Sequence, residues 1–329
     1  MNKINNIISI LLTVLLITAC QQDDYMNNEN KKTVDVRLNI GGLAIDNNQV
    51  ASRYVDASQY EGLRTLRVIV TDENMSKIYY NEKSNVDNSN SSQQSITIPD
   101  IPVGNAIFYV IANEESLGKT YSTENLLNEE ISNKKLLFVD ENQTYFPKKG
   151  PDIVTNGLPM SGKANAIISP ENNTVTVNVV RAVTKISLTV ENLTSSAITL
   201  KDINFGPFFG DRLFVFAEQS LDVPDNSNYK KASFNNIGLT INPNSSSDKL
   251  SLYLYPTYAQ ETENNNPYTI GITTTNYPYK EQPFAPGVNS FSRNTQINIR
   301  ARITTTVGLQ IDYEVQPWDE YTTDVPDFN

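Results

Sequence analysis

Residues 33–40 read TVDVRLNI and alternate strictly between polar and apolar side chains. Every second residue is apolar, namely Val34, Val36, Leu38 and Ile40. Successive side chains of an extended chain point to opposite faces, so this pattern predicts a β-strand with one buried and one exposed face. Two glycines follow the stretch at once and are expected to end the strand.

The same alternation returns near the other end of the chain. There Leu309, Ile311, Tyr313 and Val315 are separated by single polar residues. Short runs of this kind also occur between the two ends, separated by loops rich in Pro and Asn, and strands at this spacing indicate β-sandwiches. We therefore predict an all-β fold, with further strands at residues 63–70, 78–80, 95–98, 106–112, 198–203, 212–216, 238–241, 249–255, 268–274, 295–303 and 308–315.

One helix and one irregular stretch interrupt this pattern in the N-terminal half. Residues 123–131 are predicted to form a short helix, because Thr123 can cap its N-terminus and apolar residues recur at helical spacing. Residues 134–149 show no period and are predicted to be irregular.

The predicted domain boundary lies where the phase of the apolar residues changes. They alternate from Val175 in one phase and from Ile186 in the opposite phase, and the phase slips across residues 180–183. A slip of one residue turns every following side chain to the other face of a strand. The segment is therefore predicted to serve two sandwiches in turn, an N-terminal domain of residues 33–182 and a C-terminal domain of residues 183–329.

The residues before the first predicted strand have a different composition. Residues 7–19 are mostly apolar, but this run is shorter than the roughly 20 residues that cross a bilayer, so residues 1–19 are predicted to be a signal peptide. Cys20, the only cysteine in the chain, follows Ile-Thr-Ala. This sequence resembles the bacterial lipobox, whose cysteine is acylated, and the alternative is a chance cysteine beside an ordinary cleavage site. Residues 20–32 are polar and are predicted to be a solvated tether.

Composition and charge argue against several classes of function. The 26 basic and 37 acidic residues give a net charge of −11, which argues against binding to nucleic acid or to anionic lipid. The absence of histidine removes the commonest general base and zinc ligand, and a single cysteine permits no internal disulfide. We therefore predict that the protein is not an enzyme and holds neither a metal nor another cofactor.

Two weaker motifs point to ligands. Residues 157–164 nearly match the phosphate-binding loop G-x-x-x-x-G-K-[ST], but Ala164 stands where a hydroxyl is needed for Mg²⁺ and no helix is predicted to follow. Tyr253, Tyr277 and Tyr279 could line a sugar-binding surface. The alternative is that they cover sheet faces, as tyrosines of β-rich proteins more often do.

Arg53 lies in the polar stretch that follows the first predicted strand and its glycine break. Proteolytic cleavage concentrates in exposed loops, so the bond between Arg53 and Tyr54 is a candidate cleavage site. The alternative is an ordinary solvated arginine, and Arg37 or the lysines at positions 31 and 32 are other places where a protease could cut.

Taken in order, these features resemble the fimbrillin family, the type V pilins of Bacteroidia and their relatives. The resemblance covers nearly the whole chain. The motifs that carry it are the lipobox, the first strand, Ser-Arg at 52–53, the strand at 63–72, LPMSG at 158–162, RAVTKI at 181–186, SRN at 292–294 and VQPW at 315–318.

The resemblance implies two transthyretin-like β-sandwich domains in tandem and a role in adhesive surface filaments. Members of the family are exported as outer-membrane lipoproteins, and an arginine-specific surface protease then cleaves the loop after the first strand. Loss of the lipid and the strand opens a hydrophobic groove, which a C-terminal strand of a neighbouring subunit fills. The implied partners are other fimbrial subunits, the protease, and ligands on host or bacterial surfaces.

Carried onto this sequence, Cys20 is the lipidated residue, Arg53–Tyr54 the cleaved bond, and residues 33–53 the removable strand and loop. Anchor and tip subunits share this architecture and are alternatives to a polymerising subunit. A monomeric surface lipoprotein that binds glycan through its tyrosines is the other alternative. The donor strand is expected within residues 308–329, with Leu309, Ile311, Tyr313, Val315 and Trp318 as its apolar residues.

Overall fold

The structure is a computed structural model. It describes residues 32–41, 62–86, 93–121, 136–139, 156–217, 219, 221–259, 266–284, 290–305 and 308–317. This part of the chain consists mainly of strands, so the all-β prediction is confirmed. No helix within it is long and apolar enough to cross a membrane.

The N-terminal half forms two sheets. Strands β3-β2-β5-β7-β9 make a five-stranded sheet and β4-β1-β8 make a three-stranded sheet. A short 3₁₀ helix, Glu114–Leu117, follows β5. The strands are β1 (Thr33–Gly41), β2 (Thr65–Asp72), β3 (Ile78–Asn85), β4 (Gln94–Pro102), β5 (Gly104–Ala112), β6 (Leu137–Val139), β7 (Met160–Ile168), β8 (Thr174–Asn178) and β9 (Val180–Arg181).

Buried apolar side chains from these two sheets form one core. β1 contributes alternate residues to it, because only one face of the strand is buried. β2 and β5 are instead buried on both faces over most of their length. Their sequences follow from these positions, since a half-buried strand must alternate whereas a strand covered on both sides can be continuously apolar.

The C-terminal half forms a second pair of sheets. Strands β15-β10-β19-β20 make one, in which β16 also pairs with β10, and β13-β11-β17-β18 make the other, in which β14 pairs with β11. Their shared core is rich in aromatic rings, with neighbouring centroids 4.9–6.4 Å apart. The strands are β10 (Thr184–Asn192), β11 (Ile198–Gly210), β12 (Arg212–Phe214), β13 (Tyr229–Phe234), β14 (Leu239–Ile241), β15 (Ser245–Ser246), β16 (Leu250–Leu254), β17 (Thr269–Thr274), β18 (Lys280–Pro283), β19 (Thr295–Ile303) and β20 (Leu309–Pro317).

The two halves are closely joined. β12 pairs with β6, and Leu213 and Val215 are buried in the N-terminal core. Val34–Asn329 therefore forms a single compact unit. On the two sides of the predicted phase slip, Val175 belongs to the N-terminal core and Ile186 to the C-terminal core. The exact division at residues 182 and 183 stays a prediction.

The structure corrects the sequence-based assignment in several places. The predicted irregular stretch 134–149 contains β6, whose pairing with β12 is a tertiary contact without a local signal. The strands β7, β13, β15 and β18 were not predicted. The predicted helix at 123–131 lies outside the described residues.

Candidate functional site

β1 is the middle strand of its sheet, between β4 and β8. It runs parallel to β8 in register from Arg37 to Gly41. At the two ends of this ladder, the Arg37 N–H donates to Asn173 O and the Val179 N–H donates to Gly41 O, each over 2.8 Å. The first strand of the described chain is thus paired along both of its edges.

The inner face of β1 belongs to the N-terminal core. Val36 and Leu38 are 0 % exposed, Ile40 is 2 % exposed, and Val34 is partly buried, as the alternation predicted. Burying one such side chain is worth about 1.5–3 kcal/mol. The three fully buried residues therefore contribute about 5–9 kcal/mol to holding β1 in place.

The outer face of β1 carries polar side chains that bond to its two neighbours. Arg37 Nε donates to Ser95 Oγ on β4 over 3.2 Å, and the same hydroxyl donates to Asn39 Oδ1 over 2.9 Å. The Asp100 N–H donates to a carboxylate oxygen of Asp35 over 3.3 Å. These exposed contacts favour one register, and they add little stability because water competes for the same groups.

The strands beside β1 would line a slot if it left. β4 contributes the buried residues Ile98 and Ile101, and β8 contributes Val175 and Val177. Strands in a sheet lie about 4.8 Å apart, so the slot would be one strand wide. Unpaired N–H and C=O groups of β4 and β8 would face it, which strongly favours pairing with another extended segment.

β20 is the edge strand of a C-terminal sheet and pairs with β19 along its whole length. Leu309 is buried, and Ile311 and Tyr313 are partly buried against the C-terminal core. Val315 is 43 % exposed. The predicted donor residues on β20 therefore already pack within their own subunit, and Trp318 lies outside the described residues.

The predicted processing residues cannot be placed. Cys20, Arg53 and Tyr54 all lie outside the described residues. Residues 42–61, which include Arg53, connect β1 to the segment that leads into β2.

Asn113 anchors the chain segment that leads into β2. This residue was not identified from the sequence. The residue is 0 % exposed, and its left-handed backbone (φ 58°) turns the chain at the end of β5. Its Oδ1 accepts the N–H groups of Arg64 and Thr65 over 2.9 and 3.3 Å. Its Nδ2 donates to Gly62 O and Leu158 O over 3.0 and 2.8 Å. The segment before β2 is thus fixed independently of β1.

Four sequence motifs that are far apart in the chain meet at the junction of the two halves. Arg293, from the SRN motif, donates to Ser161 Oγ of the LPMSG motif over 2.8 Å and to Arg181 O of the RAVTKI motif over 3.3 Å. It also donates to Val180 O over 3.1 Å and to Val215 O over 3.0 Å. The VQPW motif reaches the same place through the end of β20. The motifs therefore build one structural junction.

The ligand sites considered from the sequence do not form. Tyr253 is only 2 % exposed and belongs to the N-terminal core, and Tyr277 is partly buried against the C-terminal core, so the alternative of covered tyrosines fits both. Tyr279 is exposed, and its hydroxyl donates to Glu281 over 2.7 Å. Residues 160–164 of the phosphate-loop-like sequence belong to β7, which pairs with β5. In the described part of the chain, no group of three or more His, Cys, Asp or Glu side chains could hold a metal ion.

Known proteins resemble this chain in structure rather than in sequence. No protein-family model matches the sequence, and no curated protein matches it. The tip fimbrial protein Mfa3 from Porphyromonas gingivalis, with a C-terminal truncation, is similar at 15 % identity and a TM-score of 0.57, over 87 % of this chain and 100 % of that one. A fimbrial assembly protein from Parabacteroides distasonis is similar at 13 % identity and a TM-score of 0.50, over 87 % and 96 %. The fold is thus one found in fimbrial proteins of these bacteria.

Proposed function

We propose that this protein is a subunit of cell-surface fimbriae, made as an outer-membrane lipoprotein acylated at Cys20. In this proposal, cleavage after Arg53 frees β1, and a strand from another subunit takes its place. The observation that carries the proposal is the position of β1 as the middle strand of its sheet, with its apolar face in the core. The fold shared with fimbrial proteins supports the same class of protein.

Cleavage after Arg53 would leave β1 attached to the rest of the protein by non-covalent contacts only. Burial of its three core residues is worth about 5–9 kcal/mol, which by itself corresponds to a dissociation constant between about 0.2 mM and 0.3 µM. A strand with a dissociation constant in this range can dissociate when the protein is dilute. The empty slot would then expose apolar surface and unpaired backbone groups, so a replacement strand is strongly favoured.

Such exchange produces a filament because the contact is heterologous. The groove lies in the N-terminal half and the predicted donor at the C-terminal end, so each subunit offers one of each and the chain of contacts does not close. β20 can donate only if it leaves β19, since the two pair along their whole length. Donation by residues after Pro317 would leave this pairing intact.

The proposal is tested on the protein produced without residues 1–20. It is treated with an arginine-specific protease, and the product is analysed by N-terminal sequencing, intact mass and gel electrophoresis with and without heating. We expect a product that begins at Tyr54 and forms ladders that persist in detergent and disappear on heating. A stable monomer after complete cleavage would refute strand exchange.

Two arginine variants make a matched control. Arg53→Ala is expected to abolish both the cleavage and the ladders, whereas Arg37→Ala removes an arginine of β1 itself and is expected to leave both unchanged. Cleavage of Arg53→Ala at the same rate as the unaltered protein would show that processing occurs elsewhere.

A second experiment, on the full-length protein isolated from cells, separates the alternatives. An anchor subunit is expected to keep acylated Cys20 as its first residue when it is isolated from cells. A tip subunit is expected to be cleaved and to enter mixed filaments without extending them alone. A monomeric lipoprotein that binds sugar through the three tyrosines is not favoured, because Tyr253 is buried.

A further inference from the structure

A cleft of about 690 Å³ opens at the junction of the two halves, and we call it the junction cleft. One wall comes from the start of β7 and from Asn178 and Val180, and another from the last residues of β20. Arg293 and its neighbours in the chain form a further part of the lining. None of the lining residues belongs to β1 or β4, and β8 contributes only its last residue, Asn178, so the cleft meets the slot that β1 would leave only at the end of β8.

The junction cleft has the opposite charge to the protein as a whole. The chain carries 37 acidic and 26 basic residues, yet the described residues of the lining include Lys163 and Arg293 and no acidic residue. Lys163 is exposed on β7. A cleft lined by one sign of charge concentrates ligands of the opposite sign. The lining therefore favours an anion.

Arg293 strengthens this preference because its charge is buried without an acidic partner among the described residues. The side chain is 6 % exposed, and its four hydrogen bonds go to three backbone carbonyls and to the hydroxyl of Ser161. Burial lowers the pKa of its guanidinium to about 10, so the group still carries its charge at neutral pH. The attraction between a carboxylate and this charge is stronger at low dielectric than in water, and it must exceed the cost of removing water from both groups.

The rest of the lining suits a ligand with many hydroxyl groups. Side-chain amides and hydroxyls can donate and accept hydrogen bonds, as sugar hydroxyls do. Val315, at 43 % exposure, offers an apolar contact beside them. The volume is within the range of small-molecule sites, about 300–1,000 Å³. The polar members are Ser161, Asn178, Gln219, Ser290, Ser292, Asn294, Thr295 and Gln316.

We propose that the junction cleft binds a carboxylated saccharide, of the uronic or sialic acid class. The carboxylate faces Lys163 and Arg293, and the sugar hydroxyls face the amide and hydroxyl side chains. An acidic peptide is the competing ligand, and the test distinguishes it from the saccharide. The inference requires neither cleavage nor strand exchange.

The test measures binding to the uncleaved protein by saturation-transfer NMR and calorimetry. Glucuronate and glucose form one matched pair of probes, and N-acetylneuraminic acid, acetate and a tetra-aspartate peptide are the others. We expect at least one of the two acidic sugars to bind about 10-fold or more tightly than glucose, acetate and the peptide. We also expect the affinity to fall as salt is raised, because part of it comes from charge.

Variants at the edge of the cleft avoid the folding role of Arg293. Lys163→Gln is expected to weaken binding of the acidic sugar about 3- to 10-fold. Val315→Asp places a negative charge beside the ligand and is expected to weaken binding by 10-fold or more, whereas the neutral control Val315→Thr changes it less than 3-fold. Circular dichroism checks that each variant is folded.

Three results would overturn the proposal. The first is binding of glucose as tight as that of the better acidic sugar. The second is binding of acetate or the peptide as tight as that sugar, which would show a general anion site or a peptide site. The third is the absence of the expected acidic-sugar binding: either neither acidic sugar binds to the folded protein, or the Lys163→Gln and Val315→Asp variants bind it as tightly as the unaltered protein does.

Discussion

Replacing Leu38 by Ala is expected to lower the free energy of unfolding of the uncleaved protein by about 2–5 kcal/mol. Leu38 is 0 % exposed, lies near the middle of β1 and pairs with Val175 on β8. The substitution removes three carbon atoms from the core, worth about 0.8 kcal/mol each, and leaves a cavity that adds to the cost. Urea denaturation followed by circular dichroism measures the change.

Asn39→Ala is the control for this experiment. Asn39 neighbours Leu38 but lies on the outer face of β1, where it accepts one hydrogen bond from Ser95. We expect this change to cost no more than about 1 kcal/mol. Equal effects of the two substitutions would refute the conclusion that the inner face of β1 anchors the strand.

Leu38→Ala also tests whether β1 is held only by non-covalent contacts after cleavage. If β1 is bound only by its contacts, a loss of about 2–5 kcal/mol weakens its binding by about 30- to 4,000-fold. Cleaved Leu38→Ala protein should therefore release the β1 fragment at much lower dilution than cleaved unaltered protein, as measured by size-exclusion chromatography. It should also form ladders sooner. Retention of the fragment to the same extent would show that other contacts hold it.

Three further predictions concern stability. Burial raises the pKa of Asp211, but hydrogen bonds from Arg212 and Asn228 outweigh this effect and hold the pKa at about 2, below its ordinary 3.8. This carboxylate therefore stabilises the fold above pH 4. We expect about 2 kcal/mol of the free energy of unfolding to be lost between pH 4 and pH 2. Unfolding of Asp211→Asn should lack this part of the pH dependence. Glu114→Gln should cost about 3–5 kcal/mol, because it leaves the guanidinium of Arg67 buried without its anion. Gly162→Ala should cost about 1–3 kcal/mol, since an added Cβ would lie 2.2 Å from a backbone oxygen.

Each of these has a result that would contradict it. For Asp211, it is a pH profile of unfolding that is the same in the variant and the unaltered protein. For Glu114, it is a loss below about 1 kcal/mol, the value of an exposed ion pair. For Gly162, the comparison is Gly41→Ala, where the new Cβ would have its nearest neighbour at 3.8 Å; equal costs would contradict the steric argument.

Strands with a clear period were predictable from the sequence. β1, β19 and β20 were placed to within two residues at either end, since half-buried strands must alternate whatever they pair with. β7 was missed although it is as long, because a run of small and polar residues from Ser161 to Ala166 shows little apolar alternation. β6 has only three residues, and its partner β12 lies more than 70 positions away. No local pattern could have revealed it.

The candidate site was predictable only in part. The alternation and the arginine loop singled out β1 as a distinct element, and the resemblance to fimbrillins supplied the idea that it is removable. The sequence did not show that β1 has β4 on one side and β8 on the other. Tyr253 was a candidate for sugar binding only because a tyrosine pattern does not reveal which ring is covered.

The amino-acid pattern was enough to establish the class of the fold and the buried face of each alternating strand, because side-chain period is a local property of the extended backbone. The neighbours of each strand, in contrast, became known only from the folded chain. β1 pairs with β8 more than 130 residues later, and Arg293 finds its acceptors at Ser161, Val180, Arg181 and Val215. Strand pairing and register depend on how whole faces of the sheets pack together. The local sequence does not indicate which distant group will form a hydrogen bond with a given backbone N–H or C=O.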